Sequence, residues 1–251
     1  MNTPLTTAVA AACLLAAVRL GIWLRRFLPD HHLSPDSRDT VKLAMGLVAT
    51  MSALLLGLLV NSAKTTYDTT HLQVMQVASK FSLLDRVLGI YGPPATAVRG
   101  ELHALIEEST RRLWPDDTDL PPQTKPKAQT GDAFSVALLK LEARDDTERV
   151  LKTLAVNLTV EIAQLRSLMR VESSASISKP MLTVVVLWLL MIFLGFSLIA
   201  PPNATTNFAL ITSALCAAGA IFLILELDRP FGGLLRISSQ PMLDLLRLPG
   251  K

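Results

Sequence analysis

Cysteine is almost absent from this chain. The two present, Cys13 and Cys216, both fall inside apolar runs, where a thiol behaves as a small hydrophobe. A disulfide framework is not expected, since extracellular frameworks use more cysteines and set them in water-exposed loops. Histidine is scarce too. His31 and His32 lie near Asp30, Asp36 and Asp39, but adjacent histidines in a polar loop have neither helical spacing nor convergent geometry, so no metal site and no cofactor are expected. A glycine-rich phosphate loop, a helical pair of metal-binding histidines and a nucleophile with a recognisable base are all missing, which points away from an enzyme. One-sided charge is missing as well. The net charge is +3, yet residues 62–180 hold 15 Lys and Arg against 15 Asp and Glu. A phosphate-binding surface needs an unbalanced basic patch, so nucleic acid is not an expected partner.

What the chain has in quantity is apolar sequence. Half its residues are hydrophobic and 18% are charged, with a mean hydropathy of +0.41. Polar and apolar residues must therefore be segregated along it. Four segments, 6–23, 43–60, 181–200 and 208–225, are long enough as helices to span about 30 Å of hydrocarbon, which takes roughly 20 residues. The last two carry no charge, and Val184 to Phe193 is too continuously apolar to be one face of a helix in water. The first carries Arg19, which is expected to snorkel toward the interface beside Trp23 and Arg25. A cleaved signal peptide is the rival reading of that segment. No Lys or Arg precedes it and the apolar run continues past Cys13 to Trp23, which favours a retained helix. Surplus positive charge at Arg25, Arg26, Arg38 and Lys42, and again at Arg229, Arg236, Arg247 and Lys251, reads as membrane-flanking charge. Asp36, Ser37, Arg38 and Asp39 read as a cap and first turn for the second span.

Between the second and third spans the character changes. Val74, Val77, Phe81, Leu84, Leu88 and Tyr91 recur at intervals of three and four, which predicts an amphipathic helix continuing from the second span. Gly92-Pro93-Pro94 stops it. A second helix runs to about Trp114, through Val98, Leu102, Ile106, Ser109 and Leu113. Residues 115–131 have almost nothing to bury and read as a loop. Helical spacing resumes over 132–171 in two pieces joined near 143–147. Asp85 and Arg86 are candidates to pair with charges on a neighbouring helix, and Glu226 or Asp228 to meet Arg19 or Lys64. No strand-type alternation is sustained, so the fold class is an all-α membrane protein with four transmembrane helices and an inserted, water-exposed helical domain. The expected division is 1–61 and 181–227 as membrane segments, 62–180 as the inserted domain and 228–251 as a tail.

The tail begins Glu226-Leu227-Asp228-Arg229-Pro230-Phe231-Gly232-Gly233. With the stretches from Asp36 to Met51, Leu83-Leu84-Asp85-Arg86 and Ala200 to Thr205, it resembles the bestrophin-like domain family of bacterial membrane proteins. The span order and the acidic residue shortly before Pro230-Phe231-Gly232 are in turn similar to true bestrophins, which are pentameric anion channels whose second spans line the pore. The resemblance implies an oligomeric membrane channel for anions such as chloride, placed in the bacterial inner membrane. In the calcium-gated bestrophins a run of acidic residues follows the motif. Here Gly233-Leu234-Leu235-Arg236 follows, and calcium needs several hard oxygen ligands, so no calcium site of that type is expected.

The second span offers its own evidence. Gly46, Thr50, Ala53, Gly57, Asn61 and Lys64 fall at spacings of three and four and form one stripe of small or polar side chains, beside a leucine-rich face of Leu43, Leu47, Leu54 and Leu58. Two readings stay open. The stripe lines a pore, with Asn61 and Lys64 offering donors to an anion at one mouth; or it lets helices pack closely within the bilayer. Function divides the same way, between a conducting channel and a non-conducting membrane scaffold or stress sensor whose helical domain binds a partner. Positive charges number four between the first two spans, none between the last two and four in the tail, so the charge rule for orientation pulls both ways. The resemblance implies that both termini and the inserted domain are cytoplasmic.

Overall fold

The computed structural model describes residues 3–27, 35–115, 130–174, 179–201 and 203–247. Among these there are eight α-helices and no strand: α1 (Thr3–Leu24), α2 (Pro35–Tyr91), α3 (Thr96–Leu113), α4 (Thr130–Leu139), α5 (Asp146–Ser174), α6 (Lys179–Ile199), α7 (Ala204–Leu227) and α8 (Gln240–Arg247). Four of them, α1, α2, α6 and α7, are long and apolar enough to cross a membrane. The pair His31–His32 and most of the loop expected at 115–131 lie outside the described residues.

The chain divides into two compact units. The first comprises Met1–Asp68 and Ser176–Leu235. Its core joins Leu14, Ala17 and Val18 of α1 to Phe193 of α6 and to Ala214, Ala218 and Ile221 of α7. Helix α2 enters through Leu59 and Ala63, which pack with Val185, Ile224 and Leu227. Lipid tails are as apolar as leucine, so helices here associate by close packing at small residues. Gly21 shows how close: a Cβ added there would land on the Ser197 hydroxyl and lie 2.7 Å from the Leu194 carbonyl oxygen. The α6–α7 connection is short, and Asn203 caps α7 by accepting a 2.8 Å hydrogen bond from the Thr206 amide.

The second unit comprises Thr69–Ala175 and Arg236–Lys251. Helix α2 continues into it without a break, as the sequence periodicity predicts, and stops at Gly92, whose φ of 91° favours glycine. Its core is built from large side chains, among them Phe81, Leu84, Leu88, Leu102, Ile106, Trp114 and Phe134, all buried. The predicted pair of helices over 132–171 is α4 and α5, joined through 140–145. Lys152 closes the end of α4 by donating to the carbonyls of Leu139 (2.9 Å) and Leu141 (2.6 Å). Asp145 caps α5 by accepting from the Glu148 amide, while the Glu148 carboxylate accepts from the Arg144 amide, a near relative of the capping box.

Residues 236–251, set apart as a tail by the sequence, belong to this second unit. They contain α8, which the sequence reading did not foresee. Met242 and Leu243 of α8 are buried, and the buried Trp114 indole donates a 2.8 Å hydrogen bond to the carbonyl of Ile237.

Candidate functional site: the second span and the turn after the fourth

At 3.6 residues per turn, the membrane part of α2 carries three strips. One is the strip that packs: Ser52, Leu59 and Ala63 are buried, and Met45 reaches Gly195 of α6. The second is the leucine face, wholly exposed within one chain, with Leu54 at 70%. The third is the small and polar stripe. Gly46 is half-buried, and Thr50, Ala53, Gly57, Asn61 and Lys64 are exposed. A Cβ added at Gly46 or Gly57 would meet nothing within 4 Å. Close packing against another helix of the same chain is therefore not what keeps these residues small. Thr50 turns its hydroxyl back to donate to the Leu47 carbonyl at 2.8 Å.

Lys64 has a partner on its own helix. Its ammonium pairs with Asp68 one turn on and lies 5.7 Å from the centroid of the Tyr67 ring. The pair leaves the mouth of the stripe without net charge from these two residues, while the ammonium keeps further hydrogens to donate.

The motif after the fourth span has a clear structural task. Glu226 is 1% exposed. Its Oε1 accepts hydrogen bonds from the backbone amides of Leu234 and Leu235, the second at 3.3 Å. It does not reach for Arg19 or Lys64, as the sequence allowed. Between anchor and target the chain reverses: the Arg229 amide donates to the Glu226 carbonyl and the Gly232 amide to the Arg229 carbonyl, each at 3.1 Å. Gly233 has a φ of 83°, and a Cβ there would collide with the Glu226 carboxylate. Asp228, Arg229, Pro230, Phe231 and Gly232 thus form a turn wrapped around a buried carboxylate. Leu234 stands exposed where an acidic run would follow in a calcium-gated relative. Among the described residues no three His, Cys, Asp or Glu side chains converge on a point that could hold a metal.

In the second unit Asp85 finds its partner on α3. Its carboxylate accepts from Arg99 Nη2 at 2.8 Å and Nε at 3.0 Å, and lies 3.2 Å from His103 Nε2. Burial pushes the Asp85 carboxyl up, but the Arg99 and His103 contacts outweigh it and hold the carboxyl below its ordinary value. The sequence reading named Asp85 but missed Arg99 and His103. The signal was there, since Asp85 and Arg99 lie equally far on either side of Gly92 and a hairpin centred on that glycine brings them together.

The bestrophin-like domain family matches residues 12–242. Two single-substitution forms of a bacterial bestrophin homologue from Klebsiella pneumoniae share the fold at 14% identity. One has a TM-score of 0.71 over 98% of this chain and 99% of the other; the second has 0.67 over 96% and 99%. A further solved membrane protein is similar at 12% identity and a TM-score of 0.59, over 96% of this chain and 98% of the other. No curated protein matches the chain.

Proposed function

The chain belongs to the bestrophin-like domain family, an integral membrane family, and from that premise we propose that it assembles as a homo-oligomer around a central anion path. Five copies are favoured, by analogy with bestrophins. Four spans are few to enclose a conducting path alone, and cyclic symmetry lets each subunit contribute one lining helix. The lining is Gly46, Thr50, Ala53, Gly57 and Asn61, with Lys64 at one mouth. The observation that carries the reading is that Thr50, Ala53, Gly57 and Asn61 are exposed in their own chain and a Cβ added at Gly46 or Gly57 would meet nothing within 4 Å, although the stripe lies in a membrane span. A small, unpacked stripe beside an unpacked leucine face suits a helix that turns one strip to a lumen and another to neighbouring subunits. Asn61 and Lys64 supply donors to chloride. Asp68 moderates the field they create, since a ring of Lys64–Asp68 pairs has no net charge. The protein sits in the bacterial inner membrane, with both termini and the inserted domain in the cytoplasm.

The test is chloride efflux from vesicles containing purified oligomer, with oligomer state read by native mass spectrometry. Wild-type protein passes chloride. Gly57→Leu blocks the path while assembly persists, and Asp68→Asn raises chloride preference most at low ionic strength, where screening is weakest. Intact oligomer that passes no chloride under any voltage or osmotic load would replace this reading with the scaffold. A reporter placed within 115–131 checks the orientation.

A further inference from the structure

A cavity of about 270 Å³ opens where α1 ends, α6 ends and α7 begins. Its lining includes Arg25 and Arg26 from the short 3-10 turn after α1, Ser197 and Pro201 at the end of α6, and Asn207 in the first turn of α7; among the described residues no acidic side chain lines it. Arg25 Nη1 is a buried nitrogen with no hydrogen-bond partner among the described residues. A buried, unsatisfied guanidinium nitrogen is costly, and its donor calls for an acceptor beyond the described residues. The simple alternative is that these arginines cap the carbonyls at the end of α1, where a cation is favoured. That leaves Arg25 Nη1 unexplained, because a capping nitrogen would have a carbonyl within reach. Ser197 contributes no donor, since its hydroxyl is spent on the Leu194 carbonyl at 2.9 Å. Asn207 does, and it stands at the positive end of the α7 dipole.

The depth of the site narrows the ligand. Trp23 and Phe27, next in the chain to the lining residues Ile22 and Arg26, are both exposed with ring centroids 4.6 Å apart, as aromatic residues are at the level of lipid headgroups. Toward the middle of the same spans, α1 and α6 form an almost wholly apolar groove of about 840 Å³, lined by Cys13, Leu20, Leu187 and Met191 with Arg19 and Trp23. A tetrahedral oxyanion matches two guanidinium forks and an amide.

We propose that this cavity binds a phosphate group, supplied by the headgroup of a membrane phospholipid or by a free phosphate ion. The inference is independent of conduction, because its readout is binding. Full-length oligomer in mild detergent, stripped of lipid, is titrated with dioleoylphosphatidylglycerol, with dioleoylglycerol, which lacks the phosphate, and with inorganic phosphate. Thermal unfolding and native mass spectrometry report binding. The expected result is a rise in melting temperature and a retained adduct with phosphatidylglycerol and none with dioleoylglycerol. Arg25→Gln/Arg26→Gln weakens that response tenfold or more, and Asn207→Leu weakens it less. A response to inorganic phosphate as strong as that to the phospholipid also supports the site and assigns it to the free ion. Equal responses to the two lipids, or a phosphatidylglycerol response unchanged in both Arg25→Lys and Arg26→Gln, overturns it. So does loss of the oligomer in Arg26→Gln with lipid binding intact, which would give the arginines to a subunit interface instead.

Discussion

The two units of this chain are built on opposite rules, although one helix serves both. In the unit of α3, α4, α5 and α8, the large side chains are inside: Phe81, Leu84, Trp114 and Phe134 are buried, the Trp114 indole is answered by the Ile237 carbonyl, and the half-buried Asp85 is answered by Arg99. In the membrane unit much of the interior is small, with Ala17, Ala214 and Ala218 in the core and Gly21 against Ser197, while Leu43, Leu54 and Phe208 point outward. Water drives the first arrangement, since removing apolar area from water stabilises by about 25 cal/mol per Å². Lipid supplies no such drive, so contact between helices is gained only where small residues let backbones approach. The lesson is that burial means different things in the two halves of one sequence.

Substitutions that respect one rule and break the other sharpen the contrast. Trp114→Ala removes the largest fully buried side chain and should cost the second unit about 3–5 kcal/mol, read as a lowered unfolding transition and faster proteolysis of the segment carrying α8. Gly21→Leu should come next. It drives a side chain into the α6 backbone, and overpacking costs about 1–3 kcal/mol or more, seen as lost yield of folded protein from the membrane. Gly57→Leu adds the same atoms to the same unit but meets nothing in its chain, so folding of the monomer should be spared.

Asp85→Asn should cost about 2 kcal/mol by leaving Arg99 with a neutral partner. The folded Asp85 carboxyl lies below its ordinary value. Its contribution is therefore fully present above the unfolded value near pH 4 and lost as pH falls through the folded value. Unfolding measured from pH 6 downward should show wild type and Asp85→Asn converging in acid; parallel curves would remove Asp85 from the acid response. Smallest of all, Leu58→Ala on the exposed leucine face should change single-chain stability by no more than about 0.5 kcal/mol. A larger loss, measured with oligomer state, would mean that this face is buried by a neighbouring subunit.

The four spans and the unbroken second helix were legible because apolar runs and three-to-four spacing are local properties. The same held for the stop at Gly92-Pro93-Pro94. Helix α8 was not legible, because Met242 and Leu243 make a buried face only once Trp114 and Ile237 are brought beside them. The stripe from Gly46 to Lys64 was visible as spacing, but spacing says which residues share a face and not whether another helix covers it. The partner of Lys64 was legible but not named: Asp68 lies one turn away, and the i,i+4 pairing rule joins them. Glu226 was named as part of a motif, but that its partners are two backbone amides is a fact of the turn, invisible in side-chain chemistry.

The hydrogen bond from Trp114 to Ile237 spans 123 residues of chain, and both of the last two membrane helices lie between its ends. During synthesis, the water-exposed unit therefore emerges without its final piece and must wait while α6 and α7 are made. Its closing segment arrives only after both have been made. Completion of the soluble half is thereby made conditional on delivery of the membrane half, and a chain that stalls between the two leaves an indole and its apolar surroundings open to chaperones and proteases.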